Sequence, residues 1–291
     1  MACQFQLPTS STKFSRHNHV TAVQHRNKLD LVRIRHITFA TSEFTKSARA
    51  LRRSARPFNL RTEIYSPRSS QFHQLRRYHP AIMAQRRGRG YWLWKPYLIN
   101  EALQAASDGD LILYTDAAVT IVSDPAPLLA VTELHPIVLF NQGDLLSAFT
   151  KRDAFVLMNA DTEHFWSAPM LTATFQIYRA CDESRSFVKE WLSFCSDVRV
   201  LTDIENSQGQ PNFPDFHDHR HDQSILSILA ARERVPIQID PSQWGNNSRS
   251  TKSSYGQIFD HHRRKTPPLF GGVRSRLQIG TRIRRAISIL R

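Results

Sequence analysis

Asp108-Gly109-Asp110 leads into Leu111-Ile112-Leu113-Tyr114-Thr115, and Asp116 follows at once. A short, unbroken apolar run between turn signals is how a strand buried on both faces reads, since neither face tolerates unpaired polar groups. Such a strand needs covering layers above and below, and parallel neighbours need crossover helices. The flanking sequence supplies both. Leu31, Val32, Ile34, Ile37 and Phe39 predict a first strand. A helix is expected over 43–56 and a short strand at Thr62–Tyr65. The stretch 69–85 reads as helical, broken by Pro80. Leu98, Ile99, Ala102, Leu103 and Ala106 recur at helical spacing over 91–107, with Pro96 suited to the first turn. Further on, helices are expected at 125–133, 151–158, 184–195 and 224–234, and strands at 137–140, 171–179 and 236–239. The alternation predicts an α/β fold with a mostly parallel central sheet flanked by helices.

The domain is expected over 31–245, after an N-terminal tail at 1–30. Residues 246–291 read as a linker and a basic amphipathic tail, in which Leu277, Ile279, Ile283, Ile287 and Leu290 alternate with Arg282, Arg284, Arg285 and Arg291. Of 291 residues 41% are hydrophobic, with 17 Phe and 5 Trp, enough for a sizeable core. The formal charge of +14 is concentrated at 46–89, where Glu63 is the only acid, and at 249–291, where Asp260 is the only acid. Basic ends imply a polyanionic partner: an anionic lipid surface, a nucleic acid or a phosphorylated substrate. The three cysteines (Cys3, Cys181 and Cys195) form no C-x-x-C pair, so buried thiols in a reducing compartment are expected. No apolar run approaches the roughly 18–20 residues a membrane span needs. The N-terminus lacks the charged and apolar regions of a secretory signal. A cytoplasmic protein, peripheral at the inner membrane face through its C-terminal tail, is the expectation.

Four places could carry chemistry. Asp116 sits directly after the buried strand, and ligands of open α/β sheets bind beyond the carboxyl ends of strands. A carboxylate there can hold Mg²⁺ or Mn²⁺ and so neutralise a diphosphate; the alternative is a turn aspartate. Asp222 and Gln223 open a helix, where backbone N–H groups favour anions; Asp222 reads equally as an N-cap. Upstream of it His217, His219 and His221 alternate, and one of them, His219, is expected to reach the Asp116 cation. In Gly88-Arg89-Gly90-Tyr91-Trp92-Leu93-Trp94-Lys95-Pro96 the aromatics offer faces for a base or sugar, and Lys95 can meet a phosphate. Asp161 follows an apolar run and is a candidate for activating an acceptor. No G-x-S-x-G, H-E-x-x-H or paired C-x-x-C is present.

Three blocks, GRGYWLWKPYLINEAL, GDLILYTDAA and HDHRHDQSILSILA, resemble in order and spacing a group of bacterial glycosyltransferases with the nucleotide-diphospho-sugar transferase (GT-A) fold. The resemblance covers about residues 33–240. It implies that Asp116 stands at the first aspartate of the D-x-D motif, contacting metal and nucleotide, with Tyr91, Trp92, Trp94 and Lys95 on the donor side. It implies that Asp222-Gln223 lies near the transferred sugar. Ala118 departs from the pattern at the position of the second aspartate. The implied partners are a nucleotide-sugar donor and a glycan or glycolipid acceptor, in polysaccharide or glycolipid synthesis. Two rivals remain at this point: a basic nucleic-acid-binding protein, against which stands the lack of any recognisable nucleic-acid-binding motif, and a non-catalytic sugar-binding protein of the same fold.

Overall fold

Runs such as Ile34–Phe39 and Leu111–Thr115 are too short for helices and too apolar for loops, and they assemble into a layer. The computed structural model describes residues 32–246 and 253–262. All the elements belong to the unit that begins at Ile34. In chain order they are β1 (Ile34–Phe39), α1 (Thr45–Ala55), β2 (Thr62–Tyr65), α2 (Ser70–Tyr78), α3 (Trp94–Gln104), β3 (Leu111–Thr115), β4 (Val119–Ile121), β5 (Ile137–Leu145), β6 (Pro169–Arg179), α4 (Asp182–Cys195), α5 (Asp222–Arg232), β7 (Ile237–Gln238) and β8 (Phe259–His261), with shorter helical turns between them.

Six strands form one sheet in the order β2-β1-β3-β6-β5-β7. β1 is parallel to β2 and β3, and β5 is parallel to β7; β6 alone runs against its neighbours β3 and β5. The class is therefore α/β with a mostly parallel sheet flanked by helices, as the strand–helix alternation predicts. Every residue of β3 is buried, which is why its sequence carries no polar alternation. α3, α4 and α5 share one large core with the sheet, centred on Leu98, Trp191, Ile225 and Tyr178.

The connections create a reversal. From β1 the chain passes to β2 on one side, then crosses to β3 on the other side of β1. The carboxyl ends of β1 and β3 therefore flank a topological switch point, the place where open α/β sheets form a crevice.

Three features differ from the sequence reading. β5 continues past Phe140 to Leu145 through polar and mostly exposed Asn141–Asp144; Asn141 and Leu145 still pair with β6, with a register shift between them. β4 was not expected. Nor was β8, which lies in the stretch 246–291 read as linker and tail. Phe259 is fully buried, stacks on Phe175 at 5.1 Å, and belongs to a strand that pairs antiparallel with β4. The expected tail at 1–30 and the amphipathic tail after Arg274 lie outside the described residues. No helix among the described residues is long and apolar enough to cross a membrane.

If residues 253–262 belong to the fold, Phe259→Ala is expected to cost about 3–5 kcal/mol through lost burial and the cavity left behind. Chemical denaturation followed by tryptophan fluorescence reads this as a lowered midpoint with an unchanged slope. A loss under about 0.5 kcal/mol, as at a surface site, would mean that the strand is dispensable.

Candidate active site

The site is assembled from three element ends. β3 ends on Thr115 and presents Asp116 at the sheet rim, where the Asp116 backbone N–H donates to the Thr174 carbonyl at 2.7 Å. The register beneath is pinned by His36, which is fully buried on β1 and lies 2.9 Å from both Thr115 Oγ1 and Thr62 Oγ1. Burial holds that imidazole neutral, with its pKa lowered to about 3. One side chain thus ties β1, β2 and β3 together under the rim.

Lys95, in the first turn of α3, projects into the same place. Its Nζ donates to the Ala173 carbonyl at 3.0 Å and lies 3.3 Å from Asp116 Oδ1 and 3.4 Å from Asp222 Oδ2. The Lys95 and Asp222 side chains are each only 4% exposed, against 33% for Asp116. Burial works against the ammonium, but the two carboxylates outweigh it and raise its pKa. Tyr114 donates its hydroxyl to Asp116 Oδ1 at 2.5 Å. Burial, then the charge of Asp116, raises that phenol well above its ordinary range, so it stays a donor.

Asp222 is the first residue of α5, not its N-cap; His221 occupies the cap. Trp191 on α4 donates to the Asp222 carbonyl at 2.9 Å and fixes the start of the helix. Burial raises the Asp222 carboxyl to about 6, Lys95 pulling it down and Asp116 pushing it up. Its Oδ2 is buried and accepts no hydrogen bond. Since the folded value lies above the ordinary one, this contribution to stability is complete below about pH 4 and is lost as pH rises through about 6. Gln223 donates to Gln142 at 2.6 Å and to the Leu171 carbonyl at 2.7 Å, joining α5 to β5 and β6.

Ahead of α3 the backbone is strained. Gly88, Arg89, Gly90, Tyr91 and Trp92 all have positive φ. A Cβ at Gly88 would meet the Trp92 ring at 2.3 Å, so glycine is required there. Trp92 and Tyr91 pack on His221, at ring-centroid distances of 5.6 and 4.7 Å. His221 itself sits at φ 55°, ψ −120°, a conformation that costs a non-glycine residue on the order of 1–3 kcal/mol.

Several expectations need correcting. Trp94 is not free to stack on a ligand: it packs on Phe39 at 4.2 Å and donates to the Gly88 carbonyl. Lys95 does not face a phosphate, because the carboxylates and Ala173 surround it. Asp161 is held by Arg152 at 2.6 Å and by Trp166 Nε1 at 3.0 Å, away from the cluster of Lys95, Asp116 and Asp222, none of which it pairs with among the described contacts. His219 is buried with both ring nitrogens committed, Nδ1 to the Lys151 N–H at 3.3 Å and Nε2 to the Val200 carbonyl at 2.9 Å. His217 is exposed, so the three alternating histidines do not share an environment.

A divalent cation at Asp116 needs further ligands converging on it. Among the described residues no group of three or more His, Cys, Asp or Glu side chains does so. The gap between the nearest carboxylates holds the Lys95 ammonium, and Ala118 offers no side-chain donor atom. The Mn²⁺ or Mg²⁺ site expected on Asp116 and His219 together is not formed, because both ring nitrogens of buried His219 are already hydrogen-bonded. Sequence reasoning missed Tyr114, whose hydroxyl position two residues before Asp116 is invisible in a run read as apolar. It also missed β8, which brings His262 to the Ala118 carbonyl through its backbone N–H at 3.2 Å.

Two surface hollows lie away from this group. One is bordered by His135, Glu183, Phe187 and Val235, the other by His164, Pro169, Ser227 and Ile237. Neither includes Lys95, Asp116 or Asp222.

No protein-family model matches the chain, and no curated protein matches it. Among solved structures it is similar to mouse xyloside xylosyltransferase 1 in its apo form, with a TM-score of 0.47 and 10% identity over 81% of this chain and 100% of that one. It is also similar to an active-site mutant of LgtC (TM-score 0.44, 13% identity, 86% of this chain and 95% of that one). A third likeness is to the apo-form glycosyltransferase GlyE of Streptococcus pneumoniae TIGR4 (TM-score 0.42, 13% identity, 86% of this chain and 59% of that one). Since none of these TM-scores reaches 0.5, the functional reading of this protein rests on the geometry of its own site.

Removing the ammonium leaves two carboxylates facing each other. Lys95→Met is expected to destabilise the protein by about 3–5 kcal/mol at pH 8, the cost of breaking a buried ion pair from one side. The loss is smaller at pH 5, where Asp222 takes up a proton. Equal losses at both pH values in denaturant titrations would show that the pairing is not as described.

Proposed function

We propose that this protein is a glycosyltransferase, moving a sugar from a nucleotide diphospho-sugar to a hydroxyl of a glycan or glycolipid acceptor. The observation that carries the reading is the position of Asp116: a partly exposed carboxylate at the β1/β3 switch point, linked through one buried ammonium to a second carboxylate at a helix start.

The chemistry derives from that arrangement. Carboxylates accept hydrogen bonds from vicinal hydroxyls, so Asp116 suits the ribose or sugar of the donor. Tyr114 and Lys95 both bind its Oδ1 and fix its orientation. In the transfer the bond from the anomeric carbon to the diphosphate oxygen breaks, and its electron pair leaves with the diphosphate. A bond from the acceptor oxygen forms, and the acceptor proton must go to a base. Asp222, with a pKa raised to about 6, is poised for that work at neutral pH. Gln223 on the next position holds the first turn of α5 against the sheet.

The setting proposed for the reaction is polysaccharide or glycolipid synthesis at an anionic membrane surface. Two observations support it. The sequence after Arg274 has a basic amphipathic pattern. On the described part, Lys46, Arg49, Arg52, Arg53 and Arg56 are all exposed along and just after α1.

A thermal-shift screen of UDP-, GDP-, CDP- and dTDP-sugars, each with and without Mn²⁺ and Mg²⁺, tests the donor site. One nucleotide class at about 100 times its Kd is expected to stabilise the wild type by about 3 kcal/mol, which is several degrees in Tm. Asp116→Ala is expected to keep its fold and lose that shift. A shift retained by Asp116→Ala, or no shift with any donor, refutes the assignment. For turnover, the ionised form of Asp222 is the active one. Transfer should therefore rise about tenfold per pH unit below about 6 and level off above it. Asp222→Asn should lower kcat at least about 100-fold above pH about 6, where the wild-type carboxylate is ionised, and by progressively less as pH falls below it. A flat profile between about pH 5 and 7 excludes Asp222 as the base.

A further inference from the structure

His221 stands where glycine would be unstrained, yet it carries a large side chain that is only 2% exposed. A strained backbone retained under a bulky side chain points to work done by that side chain. Its Nδ1 lies 2.8 Å from the Leu201 carbonyl, which can only accept, so Nδ1 carries the proton. One face of the ring stacks on Trp92 with 21° between the planes, Tyr91 lies against it at 47°, and His219 meets it edge-on at 5.0 Å. Nε2 is buried with no hydrogen-bond donor, 3.7 Å from Asp203 Oδ1. Arg87 closes the surroundings, binding Asp203 at 2.9 Å and Asp218 at 3.1 Å.

The ring therefore touches two chain segments at once. Trp92 lies three residues before Lys95, and His221 lies one residue before Asp222. No other described aromatic contact joins these two segments. We propose that His221 is the positioning residue of the site: its neutral ring clips the Tyr91–Trp92 turn to the start of α5 and so sets the distance between the Lys95 ammonium and the Asp222 carboxylate. The inference rests on the glycosyltransferase reading for its catalytic consequence, but not for its structural one. Burial keeps the ring neutral, with the charge of Arg87 in the same direction, while the Leu201 carbonyl, Asp203 and Asp218 act against them.

The test uses His221→Gly and His221→Asn in the full chain. Glycine relieves the backbone and removes the clip. Asparagine tolerates positive φ and keeps an N–H for the Leu201 carbonyl. With Lys95 no longer held against it, Asp222 loses the charge that lowers its pKa. Its carboxyl signal, followed by ¹³C NMR of aspartate-labelled protein and assigned with Asp222→Asn, should then titrate about one pH unit above the wild-type value. The groups that face it are Lys95, Asp116, Tyr114 and Cys195. In turnover His221→Gly should lose about 30-fold in kcat with donor KM within about threefold, and His221→Asn should recover most of that loss.

An unshifted or lowered Asp222 titration in folded His221→Gly overturns the proposal. Should that variant not fold, the same outcomes are read in His221→Asn, with a smaller upward shift expected and none overturning it. The NMR readout needs no substrate. A wild type without transferase activity would defeat the functional reading while leaving the clip testable; an active wild type with an unmoved Asp222 in the variants would defeat the clip alone.

Discussion

One buried ammonium organises this protein. Taking a lysine out of water costs several kcal/mol unless its charge is met by partners of good geometry. Lys95 meets three: the carboxylates of Asp116 and Asp222 and the carbonyl of Ala173. These come from the rim of β3, the first turn of α5 and the middle of β6. None of the three can move away without stranding a charge or a polar atom in a buried place. The cluster therefore acts as a constraint on the packing of α3 and α5 against the sheet. The same constraint makes the site anionic by one charge when Asp222 is ionised and neutral when it is protonated. The elevated pKa of Asp222 follows from burial and from that surplus.

The scaffold beneath makes such a cluster sustainable. Trp191 fixes the carbonyl of Asp222, and Gln223 anchors the same turn to β5 and β6. His36 locks the register of β1, β2 and β3 as a neutral hydrogen-bonding group. These contacts are made inside the core by polar atoms with partners, and a partnered buried group adds geometric definition without the penalty of an orphan. The aspartate at the rim inherits that definition: its backbone is tied to Thr174 and its side chain to Tyr114 and Lys95.

Much of this was legible in the sequence where local pattern and tertiary role coincide. Leu111–Thr115 and Thr62–Tyr65 are strands within the bounds read from the sequence, the first because its apolar run is bracketed by turn residues. Asp116, Lys95 and Asp222 could be picked out as charged residues at element ends. Their mutual contact could not, because residues far apart in sequence meet only through topology. The role expected of Lys95 was wrong for the same reason: from the sequence a lysine beside tryptophans looks outward to a ligand, whereas packing turns it inward to two carboxylates. β8 was hidden because three residues in a Ser-, Asn- and Pro-rich stretch carry too little periodicity to be read. The reversed direction of β6 was hidden because a strand buried along its length reads the same either way.

Backbone strain is concentrated beside the same cluster. Seven non-glycine residues have positive φ among those described. Asn59, Asn159 and Arg234 close helical turns, where the left-handed conformation is ordinary, and Trp92 closes the short turn at Gly88–Tyr91 in the same way. The other three, Arg89, Tyr91 and His221, fall in the two segments that deliver Lys95 and Asp222. A non-glycine backbone in that region persists only where surrounding contacts over-determine it. Here the contacts are the stacked rings of Trp92, Tyr91 and His221, together with the Arg87 pairs to Asp203 and Asp218. Strain gathered at both approaches to one charge cluster, and held there by a shared set of rings, is what a preorganised site requires. A core that only needed filling could have used glycine or asparagine at those positions with less strain.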